Sequence, residues 1–500
     1  MAGTVQIRRK ASASGELVPF RMRMIGPDVL LTNPWGDWVF VTAQELDCLA
    51  SGALKEGTEL HAKLSERSFV RNRVDASALA TRIRERKAFL DAGPNLHILI
   101  PTLRCNQTCT YCHASRADMS DTSTDMTIET ANSVVDFIFE STSPRITIEF
   151  QGGEPLANFP IVRHVIERAK EKNELEDKSL AFALVSNLSL LDDEKLDYLV
   201  ENKVQICTSV DGPAVLHDKQ RVLASGSAHA EVTRWIERIN ARYAQMGLDP
   251  VLYHVEALLT TTRASLAMAK EIVDTYVGLG CKALFLRQLD PFGFAAQTSK
   301  TVAYERAAFL DFYREAVGHI LAFNQRGTFV LERYAAIFLT KILTGSDPNY
   351  LDIRSPCGAG IGQVAYNYDG KIFTCDEGRM LHQMGDSFFQ IGRVGETRYR
   401  QVMLSESVRA LTVASNLDAQ PDCACCVYNP YCGVCPVHNY AIQGSIFGRM
   451  RESTWCAVHK GILDFLFELL RDADPQTIET LGRWTTIRER SHFLQARRSL

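Results

Sequence analysis

Residues 96–112 read Leu-His-Ile-Leu-Ile-Pro-Thr-Leu-Arg-Cys105-Asn-Gln-Thr-Cys109-Thr-Tyr-Cys112. An apolar run typical of a buried strand is followed at once by three cysteines within eight residues. Three clustered thiols can hold a [4Fe–4S] cluster and leave one of its irons without a protein ligand, as an open catalytic site requires. A zinc loop with His113 as its fourth ligand is the structural alternative.

The pattern around this loop predicts the fold class. From residue 93 onward, short apolar runs alternate with helix-period segments, and the runs predict six strands at 96–102, 146–150, 181–186, 204–210, 252–259 and 283–288. Residues 127–140 predict a helix capped by Thr127, with one face formed by Ile128, Ala131, Val135 and Ile138. We therefore expect an α/β fold in which a parallel sheet curls into a partial (β/α)6 barrel.

Composition narrows the class of protein. The 500 residues suggest two or three domains, and a hydrophobic fraction of 46% is that of a globular protein. A net charge of −4 without a long basic run argues against nucleic-acid binding. No apolar stretch reaches about 18 residues, so we expect no membrane span. The amino terminus does not resemble a signal peptide, so we expect the protein in the reducing cytoplasm. Cysteines as densely placed as these are there usually metal or cluster ligands.

The loop with Tyr111 before its last cysteine resembles that of radical SAM enzymes. Gly152-Gly153-Glu154-Pro155, after the second strand, resembles the glycine-rich motif of the same family. The resemblance implies that the open iron chelates S-adenosylmethionine (SAM). One electron then cleaves the sulfonium, and a 5′-deoxyadenosyl radical abstracts hydrogen from the substrate. The implied catalytic residues are Cys105, Cys109 and Cys112.

The cofactor contacts are expected at the carboxyl ends of the strands. Gly152 and Gly153 should let the backbone approach the methionine moiety, and Glu154 should accept a hydrogen bond from its ammonium group. The other expected contacts, to the ribose hydroxyls and the methionine carboxylate, involve Tyr111, Ser186, Asn187, Ser209 and Asp211. The stretch containing His217, Asp218 and Arg221 resembles peptide- and sulfatase-modifying members of the family.

A second cysteine field resembles the SPASM domain, which carries two auxiliary [4Fe–4S] clusters. Its glycine is Gly370, and one gap, Gly433-Val434, is a residue shorter than is common. The resemblance assigns the first auxiliary cluster to Cys357, Cys375 and Cys435, and the second to Cys423, Cys426, Cys432 and Cys456. The first cluster then lacks one ligand, for which the options are Cys425, Cys207, Cys281, a water or the substrate. Structural zinc is the alternative for this field.

The first 90 residues, which contain a hairpin pattern at 28–32 and 38–42, resemble the peptide-recognition domains of ribosomal-peptide maturases. Residues 17–21, 29–33 and 285–293 resemble maturases of the His-Xaa-Ser system. The expected boundaries are a recognition domain at 1–92, the radical SAM barrel at 93–335, the SPASM domain at 336–474 and a basic tail, a surface helix, at 475–500.

These resemblances imply a peptide maturase that forms a crosslink at an unactivated C–H bond. The expected partners are a precursor peptide whose leader binds the amino-terminal domain, a flavodoxin- or ferredoxin-type reductant, and other maturation proteins. The alternatives are oxidation of a protein side chain, as in sulfatase maturation, and peptide epimerisation. A non-enzymatic iron–sulfur electron carrier or scaffold is the alternative from another class.

Overall fold

The computed structural model describes residues 17–250 and 252–485. The amino-terminal part is a three-stranded antiparallel sheet followed by helices. Its elements are β1 (Arg21–Ile25), β2 (Asp28–Thr32), β3 (Trp38–Val41), α1 (Ala43–Ser51), α2 (Glu59–Glu66) and α3 (Ala76–Arg86). The predicted hairpin corresponds to β2 and β3, whereas β1 was not predicted.

The middle of the chain alternates strands and helices. Its first half contains β4 (Leu96–Leu99), β5 (Gln107–Cys109), α4 (Ile128–Phe139), β6 (Arg145–Phe150), α5 (Phe159–Glu176), β7 (Ser179–Val185), α6 (Asp193–Glu201), β8 (Gln205–Ser209), α7 (Ala214–Gln220) and β9 (Arg221–Leu223). Its second half contains α8 (Ala228–Gln245), β10 (Glu256–Thr260), α9 (Ala269–Gly278), β11 (Ala283–Leu284), β12 (Leu286–Arg287), α10 (Gly293–Gln297), α11 (Ser299–Val302), α12 (Arg306–Gln325), β13 (Leu331–Glu332) and α13 (Arg333–Leu339).

Six of these strands pair in parallel in the order β4-β6-β7-β8-β10-β12. The predicted α/β fold with a six-stranded partial barrel is confirmed. The fifth strand begins at Glu256 rather than at residue 252. The sixth predicted strand is divided, because β11 pairs with β13 while β12 pairs with β10.

The carboxyl-terminal part contains β14 (Gln363–Tyr366), β15 (Lys371–Phe373), α14 (Asp376–Gln383), β16 (Gln390–Arg393), α15 (Tyr399–Met403), α16 (Glu406–Ala414), α17 (Pro421–Ala424), α18 (Pro436–Gln443), α19 (Thr454–Asp472) and α20 (Pro475–Trp484). The strand β14 pairs in parallel with β4 and in antiparallel with β15, which extends the barrel sheet to nine strands. This extension was not predicted, and it covers the edge that β4 would otherwise leave open.

Two details of the predicted helices are wrong. Ile128 is 53% exposed because it is the first residue of α4, whereas Ala131, Val135 and Ile138 of the same predicted face are buried. The tail helix α20 does not lie wholly on the surface, because Leu481 and Trp484 are buried in the core. Residues 486–500 of the predicted tail lie outside the described residues. None of the helices described is long and apolar enough to cross a membrane.

The amino-terminal sheet is joined to the rest of the protein through α19. The fully buried ring of Phe467 packs edge-on against Trp38, with the ring centroids 5.4 Å apart, and against Phe40 at 6.3 Å. On the same helix, Asp464 accepts two hydrogen bonds from the Arg23 guanidinium, at 2.6 and 2.7 Å. The first 90 residues are therefore packed on the carboxyl-terminal part by an aromatic cluster and an ion pair.

We expect Phe467→Ala to lower the free energy of unfolding by about 3–5 kcal/mol, because it leaves a cavity between α19 and the amino-terminal sheet. Limited proteolysis should then cleave the first 90 residues sooner. Leu175→Ala, at a side chain with 91% exposure, is the control and should change stability by less than about 0.5 kcal/mol. Equal denaturation curves for the two variants would contradict this account of the junction.

Candidate active site

The three-cysteine loop lies at the carboxyl end of the first barrel strand. Cys109 is part of β5, which pairs with β9 so that Cys109 stands opposite Arg221. The Cys112 N–H donates to the Cys109 carbonyl at 3.2 Å. Burial raises the pKa of the Cys109 thiol to about 12, and it also raises the pKa of Cys105. The Cys112 thiol raises the pKa of both, so the three sulfurs lie within electrostatic range of one another.

The donor set fits a [4Fe–4S] cluster. The Arg221 Nη1 donates to Cys109 Sγ, and the Asn187 Nδ2 donates to Cys105 Sγ, both at 3.8 Å. Hydrogen bonds to sulfur stabilise thiolates and tune such clusters. Among the residues described, no three His, Cys, Asp or Glu side chains form a group that could hold a single metal ion. A [4Fe–4S] cluster binds its cysteines at separate irons, so its ligands need not converge in that way.

His113 was the fourth ligand of the zinc alternative, and the structure gives its ring another contact. The His113 ring lies near the backbone of Asp290, beyond the sixth strand, and its Nε2 has no hydrogen-bond partner among the described residues. Burial lowers the pKa of this histidine to about 3. The ring is therefore neutral and helps to attach the cysteine loop to the far side of the barrel.

The glycines of the 152–155 motif allow a close backbone contact. A Cβ on Gly153 would lie 2.2 Å from the carbonyl oxygen of Leu103, and one on Gly152 would lie 2.5 Å from that of Thr102. The Glu154 N–H donates to the Arg104 carbonyl at 2.7 Å. These glycines thus let the second strand end pack against the backbone that leads into Cys105, and their approach to the methionine moiety stays a prediction.

The Glu154 carboxylate is held by three donors. It has no exposed surface, and its oxygens accept hydrogen bonds from the Ser186 hydroxyl at 2.7 Å, the Asn187 N–H at 2.8 Å and the Leu156 N–H at 3.0 Å. Burial raises its pKa, and these donors oppose the shift. The side chain therefore joins the ends of β6 and β7, and its contact with a SAM ammonium group stays a prediction.

The fourth strand end is held in a buried network. The Asp211 carboxylate, with no exposed surface, accepts hydrogen bonds from the Tyr111 hydroxyl at 2.5 and 2.6 Å and from the Arg221 Nε at 3.1 Å. The Arg221 guanidinium also lies 5.3 Å from the Tyr111 ring centroid. The His217 Nδ1 accepts from the Asp211 N–H at 3.1 Å. Tyr111 and Asp211 thus contact each other, whereas the prediction placed both of them against the cofactor.

The remaining predicted contacts lie at the same end of the barrel. The Ser186 hydroxyl donates to Glu154, and the Asn187 amide donates to Asn106 Oδ1 at 3.1 Å beside Cys105. Ser209 is the last residue of β8 and is half-buried. Of the predicted contacts, Gly152, Gly153, Asn187 and Ser209 keep exposed surface, so these residues can face a cofactor beside the cysteine loop.

Gly293 is a site residue that the sequence patterns did not identify. Its backbone is left-handed, with φ +56°, and a Cβ there would lie 2.4 Å from the His113 carbonyl and 2.5 Å from that of Cys112. The next residue, Phe294, donates its N–H to the Cys112 carbonyl at 2.8 Å. The chain after the sixth strand therefore contacts the cysteine loop. In the sequence, this glycine is distinguished only by its place after a predicted strand, at the end of residues 285–293.

Residues 99–247, which contain the ends of the first four barrel strands, match the family model of the Radical SAM superfamily. The chain carries a radical SAM domain. It is a radical SAM enzyme, and its cofactors are SAM and a [4Fe–4S] cluster.

This radical SAM enzyme is similar to several known proteins. An uncharacterised protein of Archaeoglobus fulgidus is 23% identical over 393 residues, which cover 77% of this chain and 84% of that protein. The cysteine-type anaerobic sulfatase-maturating enzyme of Clostridium novyi is 22% identical over 336 residues, which cover 66% of this chain and 83% of that enzyme.

Two solved structures share the fold. Native anSMEcpe with bound AdoMet matches with a TM-score of 0.61 at 18% identity, over 78% of this chain and 99% of that chain. Streptococcus suis SuiB bound to the precursor peptide SuiA matches with a TM-score of 0.52 at 13% identity, over 88% of this chain and 99% of that chain.

The second cysteine field of the radical SAM enzyme forms two groups. Cys357, Cys375 and Cys435 are buried together, and Cys357 and Cys435 both raise the pKa of the Cys375 thiol. The second group consists of Cys423, Cys426, Cys432 and Cys456. The other three thiols of this group all raise the pKa of Cys432, so the four lie within electrostatic range. Cys425 is exposed, and Cys207 and Cys281 lie on or near the barrel strands.

A small cavity lies between the sixth strand of the barrel and the first of these groups. Its wall includes Arg287, Asp290, Asp352, Glu377, Cys435 and His438. The Arg287 guanidinium lies 3.8 Å from the Asp290 carboxylate. Burial raises the pKa of Asp290 to about 6, although Arg287 opposes the shift. The cavity thus brings three carboxylates and one guanidinium to the boundary between the barrel and the cysteine field.

We expect Gly153→Ala to remove about four irons per chain after anaerobic reconstitution, because its Cβ would displace the backbone that leads into Cys105. Cleavage of SAM to 5′-deoxyadenosine should be lost with that iron. The control is Gly318→Ala in α12, where a Cβ meets nothing within 4 Å. Full iron content and unchanged SAM cleavage in Gly153→Ala would show that the close approach is not required.

We expect Asp211→Asn to lower the free energy of unfolding by about 3–5 kcal/mol, because it leaves the buried Arg221 guanidinium without a counter-charge. Guanidinium titration of the reconstituted enzyme measures the effect. The control is Glu194→Gln, which removes an exposed ion pair with Arg163 and should change stability by less than about 0.5 kcal/mol. Two variants of equal stability would argue against a structural role for the Asp211 network.

Proposed function

We propose that this radical SAM enzyme modifies a ribosomally made precursor peptide by forming a crosslink at an unactivated C–H bond. The observation that carries the proposal is the outer strand β1 of the amino-terminal sheet. Met22 and Met24 on this strand are 40% and 58% exposed. Two large apolar side chains on the edge of a sheet are typical of a surface to which an extended peptide adds as a further strand.

The register of the sheet explains why β1 provides such a surface. Met22 pairs with Leu31 and Met24 with Val29, so the two methionines share a face with buried residues of β2. The alternate residue, Arg23, is held by Asp464 of α19 on the opposite face. No further strand pairs with the outer edge of β1 in the described ranges. The apolar face thus continues to the edge and is left uncovered there.

We propose that the occupant of this edge is the leader of the precursor peptide. Residues 1–92 then act as a recognition domain, which α19 and the Phe467 cluster hold at a constant position relative to the barrel. A leader bound on β1 would keep the core of the same peptide near the barrel, and this tethering raises its effective concentration there. The segments 93–335 and 336–474 correspond to the barrel and the SPASM domain in this proposal.

The reaction is proposed to take place at the carboxyl end of the barrel. When bound there, the cluster and SAM supply a 5′-deoxyadenosyl radical that abstracts a hydrogen atom. The chain itself positions the loop through Glu154, Asp211 and Gly293, and it leaves the three cysteines half-buried at the strand ends. A flavodoxin- or ferredoxin-type protein is the proposed electron donor, and other maturation proteins are proposed partners.

Oxidation of a protein side chain is a second candidate, and a specific residue favours it. Such a dehydrogenation needs a base near the abstracted position. Asp290 follows the sixth strand and lines the cavity, with a pKa that burial raises to about 6. Tyr304, which also follows the sixth strand, is unsuited as this base, because burial raises its pKa and its hydroxyl oxygen already accepts from the Leu289 N–H at 2.9 Å.

Mass spectrometry tests the proposed reaction. The enzyme should be coexpressed anaerobically with a short open reading frame that neighbours its gene, and the peptide product isolated. Loss of two hydrogen atoms, together with fragment ions missing between two residues, would indicate a crosslink. The same loss with complete fragmentation would favour side-chain oxidation. A mass that is unchanged when the reaction runs in H2O, together with deuterium incorporation when it runs in D2O, would favour epimerisation.

We expect Met22→Glu combined with Met24→Glu to reduce peptide modification about tenfold or more, because docking would no longer bury two apolar side chains. Uncoupled cleavage of SAM should be unchanged. Met246→Glu, at a methionine with 46% exposure directly after α8, is the matched control. Deleting the first 90 residues is a poorer test, since it would uncover Phe467. Unchanged peptide modification in the double variant would rule out β1 as the leader site.

A further inference from the structure

The first auxiliary cysteine group, Cys357, Cys375 and Cys435, supplies three thiols, and a [4Fe–4S] cluster has four irons to ligate. We propose that the fourth iron is held by a carboxylate of the acidic pair Asp352 and Glu377. This inference rests on the assignment of an auxiliary cluster to the three cysteines, which is part of the proposed function. It replaces the options of a distant thiol, a water or the substrate.

The position of the acidic pair carries the inference. The carboxylate of Glu377 interacts electrostatically with all three thiols, and it is the leading charged neighbour of Cys375. Asp352 is the leading charged neighbour of Cys357 and also interacts with Cys435. Both carboxylates line the cavity into which Cys435 opens. Two carboxylates thus share a cavity with one thiol of the group and lie within electrostatic range of the other thiols.

The ion pair described in this cavity joins Arg287 to the third carboxylate. Arg287 lies 3.8 Å from Asp290, and both Arg287 and Arg354 interact electrostatically with Asp352, whereas neither is an ion-pair partner of Glu377 among the described residues. Glu377 belongs to the first turn of α14, directly after Cys375, so the helix brings its carboxylate close to that thiol. An iron ion, which accepts carboxylate oxygen as well as thiolate sulfur, would compensate the buried negative charge of the pair.

The thiols considered as alternative ligands do not line this cavity. Cys425 is exposed, and Cys281 is buried in the barrel core. His438 lines the cavity, its backbone N–H donates to Cys435 Sγ at 3.4 Å, and its Nδ1 has no hydrogen-bond partner within the described ranges. Its ring packs on Trp455 with the centroids 5.6 Å apart. The acidic pair offers two carboxylates to the group against one imidazole nitrogen, and the variant His438→Ala distinguishes the two kinds of ligand.

A carboxylate at the fourth iron has a functional consequence. An iron closed by a protein ligand does not offer a coordination position to the substrate, so the cluster would relay electrons rather than bind the peptide. Exchange of one thiolate for a harder oxygen ligand also changes the electronic structure of the cluster. That change makes the ligand detectable by spectroscopy without any assay of peptide modification.

The experiment uses the full chain with Cys105, Cys109 and Cys112 replaced by alanine, so that only auxiliary clusters remain. We expect about eight irons per chain, and additional replacement of Cys357, Cys375 and Cys435 should remove about four. If those four irons remain, the cluster assignment itself fails, and with it the basis of the inference. ¹³C-cyanide, a ligand for open iron sites, is then added to the reduced protein.

The expected result is no ¹³C hyperfine coupling in the parent protein and clear coupling in the variant that combines Asp352→Ala with Glu377→Ala. The two single variants identify the ligating carboxylate, and Glu396→Ala, at an exposed side chain, is the control. Coupling in the parent protein would overturn the proposal, and so would its absence from a double variant that retains its iron. Coupling produced by His438→Ala alone would assign the site to the histidine instead.

Cysteine replacement covers the case in which the double variant loses the cluster. Asp352→Cys and Glu377→Cys each place a thiol where the carboxylate stood. We expect one of them to retain about eight irons and to shift the electron paramagnetic resonance spectrum of the first auxiliary cluster, because a thiolate replaces an oxygen ligand. Unchanged spectra in both variants at full iron content would overturn the proposal.

Discussion

The contact on which the active site depends is the approach of two backbone segments, residues 152–154 and residues 102–104. A side chain at Gly153 would lie 2.2 Å from a carbonyl oxygen of the opposite segment, so only glycine permits the distance. The hydrogen bond from Glu154 to the Arg104 carbonyl then fixes the chain one residue before the first cysteine. The position of the loop is thus determined by the end of a neighbouring strand.

The other strand ends complete the support of the loop. Glu154 connects the second and third strand ends, Asp211 connects the fourth strand end with Tyr111 inside the loop, and Gly293 lets the chain after the sixth strand approach Cys112. Each connection is buried, where hydrogen bonds and ion pairs are poorly screened by water. The barrel therefore positions the cysteines from several sides, as a reactive cofactor that has to be held in one orientation requires.

The parts outside the barrel are joined to it by packing and by strand pairing. The strand β14 continues the barrel sheet from β4, so the auxiliary cysteines are attached to the same sheet as the radical SAM loop. The helix α19 holds the amino-terminal sheet through Phe467 and Asp464. In our proposals the leader site, the radical site and the auxiliary clusters are parts of one packed body, and the cavity at Asp290 and Glu377 lies where barrel and cysteine field meet.

The sequence by itself determined the fold class, the strand alternation and the radical SAM domain, because strand and helix periodicity and cysteine spacing are local properties of the chain. The roles of Gly153, Glu154, Asp211 and Gly293 were decided only by the tertiary structure. Their partners lie far away in sequence, as Asp211 is 100 residues from Tyr111. Those residues meet only when the parallel sheet brings the strand ends together. The same holds for Asp352 and Glu377, two acidic residues that no motif distinguishes until the fold brings them to one cavity beside the thiols.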